Sequence, residues 1–151
     1  MIIAEKKEFN RIYLQGYSDL IKEILNEEER LSSLNVSGLK SPSMDGQNSG
    51  ETAVGLDTKV IMQLEIKEHL DKLRAREKTM RTSIEKSLKS LEPDEKQIIR
   101  LKYIDLHVWN DITRIMFRKR SDYEEKIDKY KRLTFRIHEK ALSKMLICTE
   151  E

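Results

Sequence analysis

The chain has 151 residues, a single cysteine and a net charge of +2, with 37% charged and 6% aromatic side chains and only five Gly and two Pro. That length suits one ordinary domain or two small helical units, and the composition favours helices. One cysteine excludes an internal disulfide and a cysteine metal cluster, no apolar run approaches the roughly 18 residues of a membrane span, and Met1–Lys6 lacks a signal-peptide core, so we expect a cytoplasmic protein with no membrane partner.

From the N-terminus, Tyr13, Tyr17, Leu20, Ile24, Leu31 and Leu34 follow 3/4 spacing, with Glu27 in the one polar gap. Leu14, Ile21 and Leu25 widen the stripe, which predicts a helix over 4–34 buried along one side. Residues 35–57 hold four of the five glycines (Gly38, Gly46, Gly50, Gly55) with Ser, Asn and Pro, the composition of a flexible loop. A second helix is predicted over 57–90, with Ile66, Leu70, Leu73, Met80, Ile84 and Leu91 in register and Glu77 and Ser87 in the stripe. Two rods joined by a tether fold back antiparallel. One narrow stripe each makes a thin core, so a symmetric homodimer through this coiled coil is expected. Both polar faces are of mixed sign, which argues against a membrane-surface helix.

Leu91-Glu92-Pro93-Asp94-Glu95 marks a new helix start: proline suits the first turn, and acids complement a helix N-terminus. The third helix, 93–105, is expected to bury Ile98, Leu101 and Ile104. A fourth, 109–117, is expected to bury Trp109, Ile112, Ile115 and Met116, after a tight connection at Leu106-His107-Val108. Arg118-Lys119-Arg120 forms a basic connector. Ser121-Asp122-Tyr123-Glu124 has the pattern of a capping box, predicting a fifth helix from there to about Ile147. Its inner face is Ile127, Tyr130, Thr134, Ile137, Ala141 and Met145; its outer face is Lys129, Arg132, Arg136 and Lys140.

The charge is uneven. Residues 114–144 contain eleven Lys/Arg against five Asp/Glu, net +6, whereas residues 1–90 balance at fifteen of each. A charge run alone is ordinarily a solvated helix face. Here it falls on the second half of a helix-turn-helix pattern, where a support helix packs and the next offers cations to a DNA groove. Arg132 and Arg136 have the planar fork that reads guanine O6 and N7; Lys129 and Lys140 suit phosphates, and Lys131 a base or a phosphate. Arg114, Arg118, Lys119 and Arg120 suit the DNA backbone beside the connector, or simply a helix C-terminus favoured by cations. Trp109 is read as core. His69, His107 and His138 do not pair with one another or with Cys148 at ligand spacing and are read as surface or capping groups. The chain carries no Gly-rich phosphate loop, serine elbow or paired-carboxylate signature. It is therefore read as a non-enzyme, with no catalytic residues, cofactor or metal.

The segments Leu91-Glu92-Pro93, Ile98-Ile99-Arg100-Leu101-Lys102-Tyr103-Ile104-Asp105, Trp109-Asn110-Asp111-Ile112 and Arg136-Ile137-His138-Glu139-Lys140-Ala141-Leu142 together resemble region four of bacterial sigma factors. They are closer still to the phage regulators of the ArpU and RinA type, which activate late transcription. The similarity spans about 55 residues at moderate specificity, and the helix–loop–helix before it is loosely similar to a streptococcal phage group. Thr113 stands where region four has a small alanine, Leu106-His107 where it has glycine, and residues 118–129 extend the usual short turn.

The resemblance implies an all-α chain with a long N-terminal antiparallel helical hairpin over 1–90, serving dimerisation or polymerase contact, and a sigma-like helix-turn-helix over 91–151. It implies a regulator, expected to be an activator of phage late genes, that binds double-stranded promoter DNA and recruits host RNA polymerase in the bacterial cytoplasm. The alternatives are a small-terminase-like DNA packaging protein and a polymerase-binding adaptor that does not touch DNA.

Overall fold

A computed structural model describes residues 2–39 and 49–148. The fold is all-α, and no strand occurs among the described residues. In order, the helices are α1 (Ile3–Leu39), α2 (Ser49–Leu88), α3 (Pro93–Ile99), α4 (Trp109–Phe117) and α5 (Ile127–Lys144); α3 runs on without a break into a π-helical turn over Arg100–Ile104. None of these helices is long and apolar enough to cross a membrane.

Both long helices exceed their expected bounds. Helical backbone continues through residues 35–39 and resumes at 49, so the loop expected over 35–57 is helical at both ends, and its middle, 40–48, lies outside the described residues. Turn-forming composition overstated the loop, because a long helix stabilised by packing tolerates a few glycines at roughly 1 kcal/mol each.

The chain divides into two compact units, Met1–Asp19 with Thr79–Glu151, and Leu20–Lys78. The division differs from a boundary at residue 90, because α1 and α2 each contribute to both units.

The Leu20–Lys78 unit is an antiparallel helix pair. Glu23 lies 3.5 Å from His69, Glu28 Oε1 accepts from Arg74 at 3.0 Å, and Asn35 Oδ1 accepts from Gln63 at 2.8 Å. Leu20, Ile24, Ile66, Leu70 and Leu73 are buried; Leu25, expected to widen the stripe, is exposed. The polar cross-links are exposed and worth at most about 1 kcal/mol each, so the apolar stripe carries the unit.

In the other unit the start of α1 is joined to α5 and to the π-helical turn, and α3 and α4 pack on α5. Leu14, Tyr17, Ile84, Leu88, Ile98, Ile99, Tyr103, Ile112, Leu142 and Met145 form its core. Polar groups seat α1 there. The buried Asn10 amide donates to Leu142 O at 2.7 Å and Met145 O at 3.0 Å, satisfying carbonyls that the end of α5 leaves free. Ser18 donates to Tyr103 O at 2.8 Å, and Arg11 pairs with Glu139 at 2.8 Å.

Glu92 caps α3, with Pro93 in its first turn; the Glu92 N–H donates to Glu95 Oε1 at 2.9 Å. Glu95 is buried and pairs with Lys144 at 3.0 Å, tying the start of α3 to the end of α5. Ile98 is buried as expected, but Ile99 and Tyr103 are the other core residues here, whereas Leu101 and Ile104 are only half-buried. The π-helical turn has a physical reading: Asp105 N–H donates to Arg100 O at 2.8 Å, five residues back. Glu95, Ile99 and Tyr103 follow one another at steps of four, so an ordinary helical period already aligns this buried face. The chain then reverses at Leu106, whose φ of 62° is left-handed. A leucine there costs roughly 1–2 kcal/mol in backbone strain.

Helix α5 starts later than expected. Ser121–Glu124 forms no capping box; residues 118–126 are turns, and α5 begins at Ile127 after Lys126, with no side-chain cap. The connector is held from below instead: Tyr130 donates its hydroxyl to Asp122, its ring lies 5.1 Å from Phe117, and Lys126 reaches Asp122 at 3.7 Å. The Tyr130 hydrogen bond holds the Asp122 carboxyl below its ordinary range.

Candidate nucleic-acid interface

Helix α4 lies along α5 in the opposite direction. Phe117 stacks on Tyr130, and at the other end Trp109 meets Phe135 at 4.9 Å and His138 at 4.8 Å. Between these ends, Thr113 Oγ1 lies 3.2 Å from Thr134 Oγ1 and 3.0 Å from Trp109 O, and Thr134 donates to Tyr130 O at 2.8 Å. The threonine in place of alanine at position 113 thus makes a buried polar contact between the two helices. Ile112, Thr113 and Phe117 are the buried residues of α4; Ile115 is exposed, and Met116 and Trp109 are half-buried, contrary to the expectation that all three face the core.

On α5, Tyr130, Thr134, Ala141 and Met145 are buried as the periodicity requires, with His138 and Leu142 added. Ile127, expected inside, is exposed, and the helix ends at Lys144 rather than Ile147. Lys129, Arg132, Arg136 and Lys140 are all exposed. At about 100° per residue these four centre opposite the buried stripe, so the core face and the cationic face share one helix without overlap. Lys129, Arg132 and Arg136 line a shallow depression with Leu133. Lys131 is half-buried and lies on the core side of α5, about 145° round the helix from the centre of the cationic stripe.

Three acids near α5 have ion-pair partners, whereas Glu124, Glu125 and Asp128 are exposed and make no salt bridge among the described residues. Among the described residues, Glu139 is taken up by Arg11 and Lys7, Asp111 by Arg114 at 2.6 Å, and Asp122 by Lys126. None of Lys129, Arg132, Arg136 and Lys140 makes a salt bridge, nor do Arg118, Lys119 and Arg120, which are also exposed. Arg132 reaches only Asp128 O, at 3.4 Å, and Lys129 sits over the Tyr130 ring at 5.7 Å. Like charges four residues apart cost a helix roughly 0.2–0.5 kcal/mol per pair. Arg132, Arg136 and Lys140 accept that cost twice, leaving a cationic face available to an anionic partner.

Two features escaped the sequence pattern. Phe135 is 43% exposed on the flank of the cationic face, its ring backed by Trp109. Lys102, from the π-helical turn, lies 5.0 Å over the Trp109 ring, adding a cation beside the start of α4. The spacing of Phe135 one residue before Arg136 was visible; its packing on Trp109 was not.

The histidine expectation needs correction. His69 is exposed and His107 half-buried, but His138 is 5% exposed and within 2.7 Å of the Tyr103 hydroxyl. Cys148 is exposed and free, and no cluster of three metal-ligating side chains occurs among the described residues. Comparison with protein-family models, with curated proteins and with solved structures finds no match.

Proposed function

We propose that this chain is a sequence-specific DNA-binding regulator that lays the outer face of α5 in the major groove of promoter DNA. In this reading Arg132 and Arg136 read guanine edges, Lys129 and Lys140 neutralise phosphates, and Arg114, Arg118, Lys119 and Arg120 hold the backbone beside the connector, while Lys131, on the core side of α5, is not part of the face. The observation that carries the reading is the stripe of four exposed cations opposite the core face of α5, none of which makes a salt bridge among the described residues. A major groove about 12 Å wide admits one helix. Lys129 to Lys140 covers about 16 Å along the helix at 1.5 Å per residue, long enough to meet several phosphates.

The resemblance to the ArpU and RinA regulators and to sigma region four narrows the proposal to activation of phage late genes by recruitment of host RNA polymerase in the bacterial cytoplasm. Selection of binding sites from a random duplex pool with the purified chain, followed by transcription from the selected site with bacterial polymerase, tests it. Enrichment of a guanine-containing site and stimulated transcription are expected. A chain that enriches no sequence and binds no duplex at moderate salt is not such a regulator. If that chain still binds polymerase, it is an adaptor.

A further inference from the structure

The expected coiled-coil dimer needed the apolar stripes of both long helices. The structure spends those stripes inside the chain, on Leu20, Ile24, Ile66, Leu70 and Leu73. Helix α2 nevertheless carries a second apolar patch. Val60, Ile61 and Leu64 are 50%, 56% and 60% exposed, on a face turned by about 160° from Ile66, Leu70 and Leu73. Three large aliphatic side chains within five residues, on the solvent side of an otherwise polar helix, mark a contact surface.

The flanking charges say what covers it. Asp57, Val60, Leu64 and Lys67 share this face at steps of three, four and three, a spacing that reads the same in both directions. Asp57 and Lys67 are exposed, and neither makes an ion pair among the described residues. If a second copy of α2 lies antiparallel across this face, with the two-fold axis beside Met62, Val60 meets Leu64 of the copy and Leu64 meets its Val60. The same register sets Asp57 against Lys67 of the copy, and Lys67 against its Asp57. Reversed in direction, the face complements itself in shape and in sign; in a parallel pairing Asp57 would face Asp57 and Lys67 would face Lys67.

The geometry points to an isologous homodimer whose seam is the Asp57–Val60–Leu64–Lys67 face of α2, in antiparallel register. The inference deepens the dimer expectation and does not depend on DNA binding. Its apolar contact is small, so the dimer is a reversible one with a dissociation constant on the order of micromolar.

Sedimentation equilibrium of the full chain without DNA, at low salt, tests the seam. The unaltered chain is expected to dimerise, and L64E to raise the dissociation constant by more than about tenfold. D57K and K67D each place like charges at both ends of the seam and are expected to weaken the dimer by about tenfold; D57K/K67D together exchanges the signs and restores it. All these positions are exposed, and unchanged helical circular dichroism verifies that each variant is folded. A chain that stays monomeric at high micromolar concentration, a dimer that L64E leaves intact, or a double variant as weak as the single ones overturns the proposal. Each outcome is read without DNA and leaves the DNA-binding reading to its own experiment.

Discussion

The Tyr103 hydroxyl lies 2.7 Å from His138 Nε2, joining the π-helical turn to α5 at the centre of the unit that carries the cationic face. Both groups are buried, and neither charges readily: burial pushes the Tyr103 hydroxyl up to about 12 and His138 down to about 4. Glu139 opposes the shift of His138, while Arg11 and Lys102 add to it. The neutral pair is therefore part of the fold, and one face of α5 is set by it.

Stability should consequently fall with acid. In the unfolded chain His138 binds a proton below about 6.5, whereas in the folded chain it does so only below about 4. The folded state binds fewer protons between those values, so the stabilisation is full above pH 6.5 and is lost as the pH falls towards 4. The loss is roughly 3 kcal/mol at most. Urea unfolding at a series of pH values reads it, and H138F should flatten this part of the curve. An equal slope in H138F would assign the acid sensitivity to other groups.

Asn10 closes the end of α5 from a helix that is remote in sequence, by donating to Leu142 O and Met145 O. N10A leaves two carbonyls without their donor and is expected to cost roughly 1–3 kcal/mol. A fragment of residues 91–151 lacks Asn10, Leu14 and Tyr17 and should lose cooperative unfolding altogether. Calorimetry of the fragment and of N10A measures both effects; a fragment as stable as the whole chain would show that α1 is dispensable.

Arg136 and Lys140 differ in the role proposed for them. R136A should cost roughly 1–3 kcal/mol on a selected site and relax discrimination at one base pair. K140A should weaken specific and random DNA alike, and lower the slope of log affinity against log salt by about 1. Fluorescence anisotropy over a salt series separates the two; equal losses for R136A on specific and random duplexes would remove it from base reading.

Phe135 is a large apolar group beside Arg136 and Arg132 on α5, and the apolar feature that base pairs offer in the major groove is the thymine methyl. Replacing thymidine by deoxyuridine next to the recognised guanine deletes that methyl without touching the protein. Affinity should drop about fourfold, since one buried methyl is worth roughly 0.8 kcal/mol. A selected site indifferent to this exchange at every thymine would show that Phe135 serves only to brace Trp109.

Much of this protein was legible in the amino-acid order. Apolar residues at steps of three and four placed the helices, Glu92 and Pro93 marked the start of α3, and the period of α5 put Tyr130, Thr134, Ala141 and Met145 on one side and the four cations on the other. These are local properties, set by 3.6 residues per turn and by the chemistry of a helix end. Tertiary structure decided what periodicity cannot count. Packing chose Ile99 and Tyr103 over Leu101 and Ile104 as the core beside Ile98, two sets that helical spacing alone does not tell apart. The Ser121–Glu124 pattern lost to the packing of Phe117 and Tyr123 around Tyr130, which holds residues 118–126 as turns. His138 became core because a hydroxyl 35 residues earlier in the chain completes its hydrogen bond, and Asn10 became a cap for a helix 132 residues away. A buried polar group is tolerated only where a partner meets it, and such partners are brought together by the fold, not by spacing along the chain.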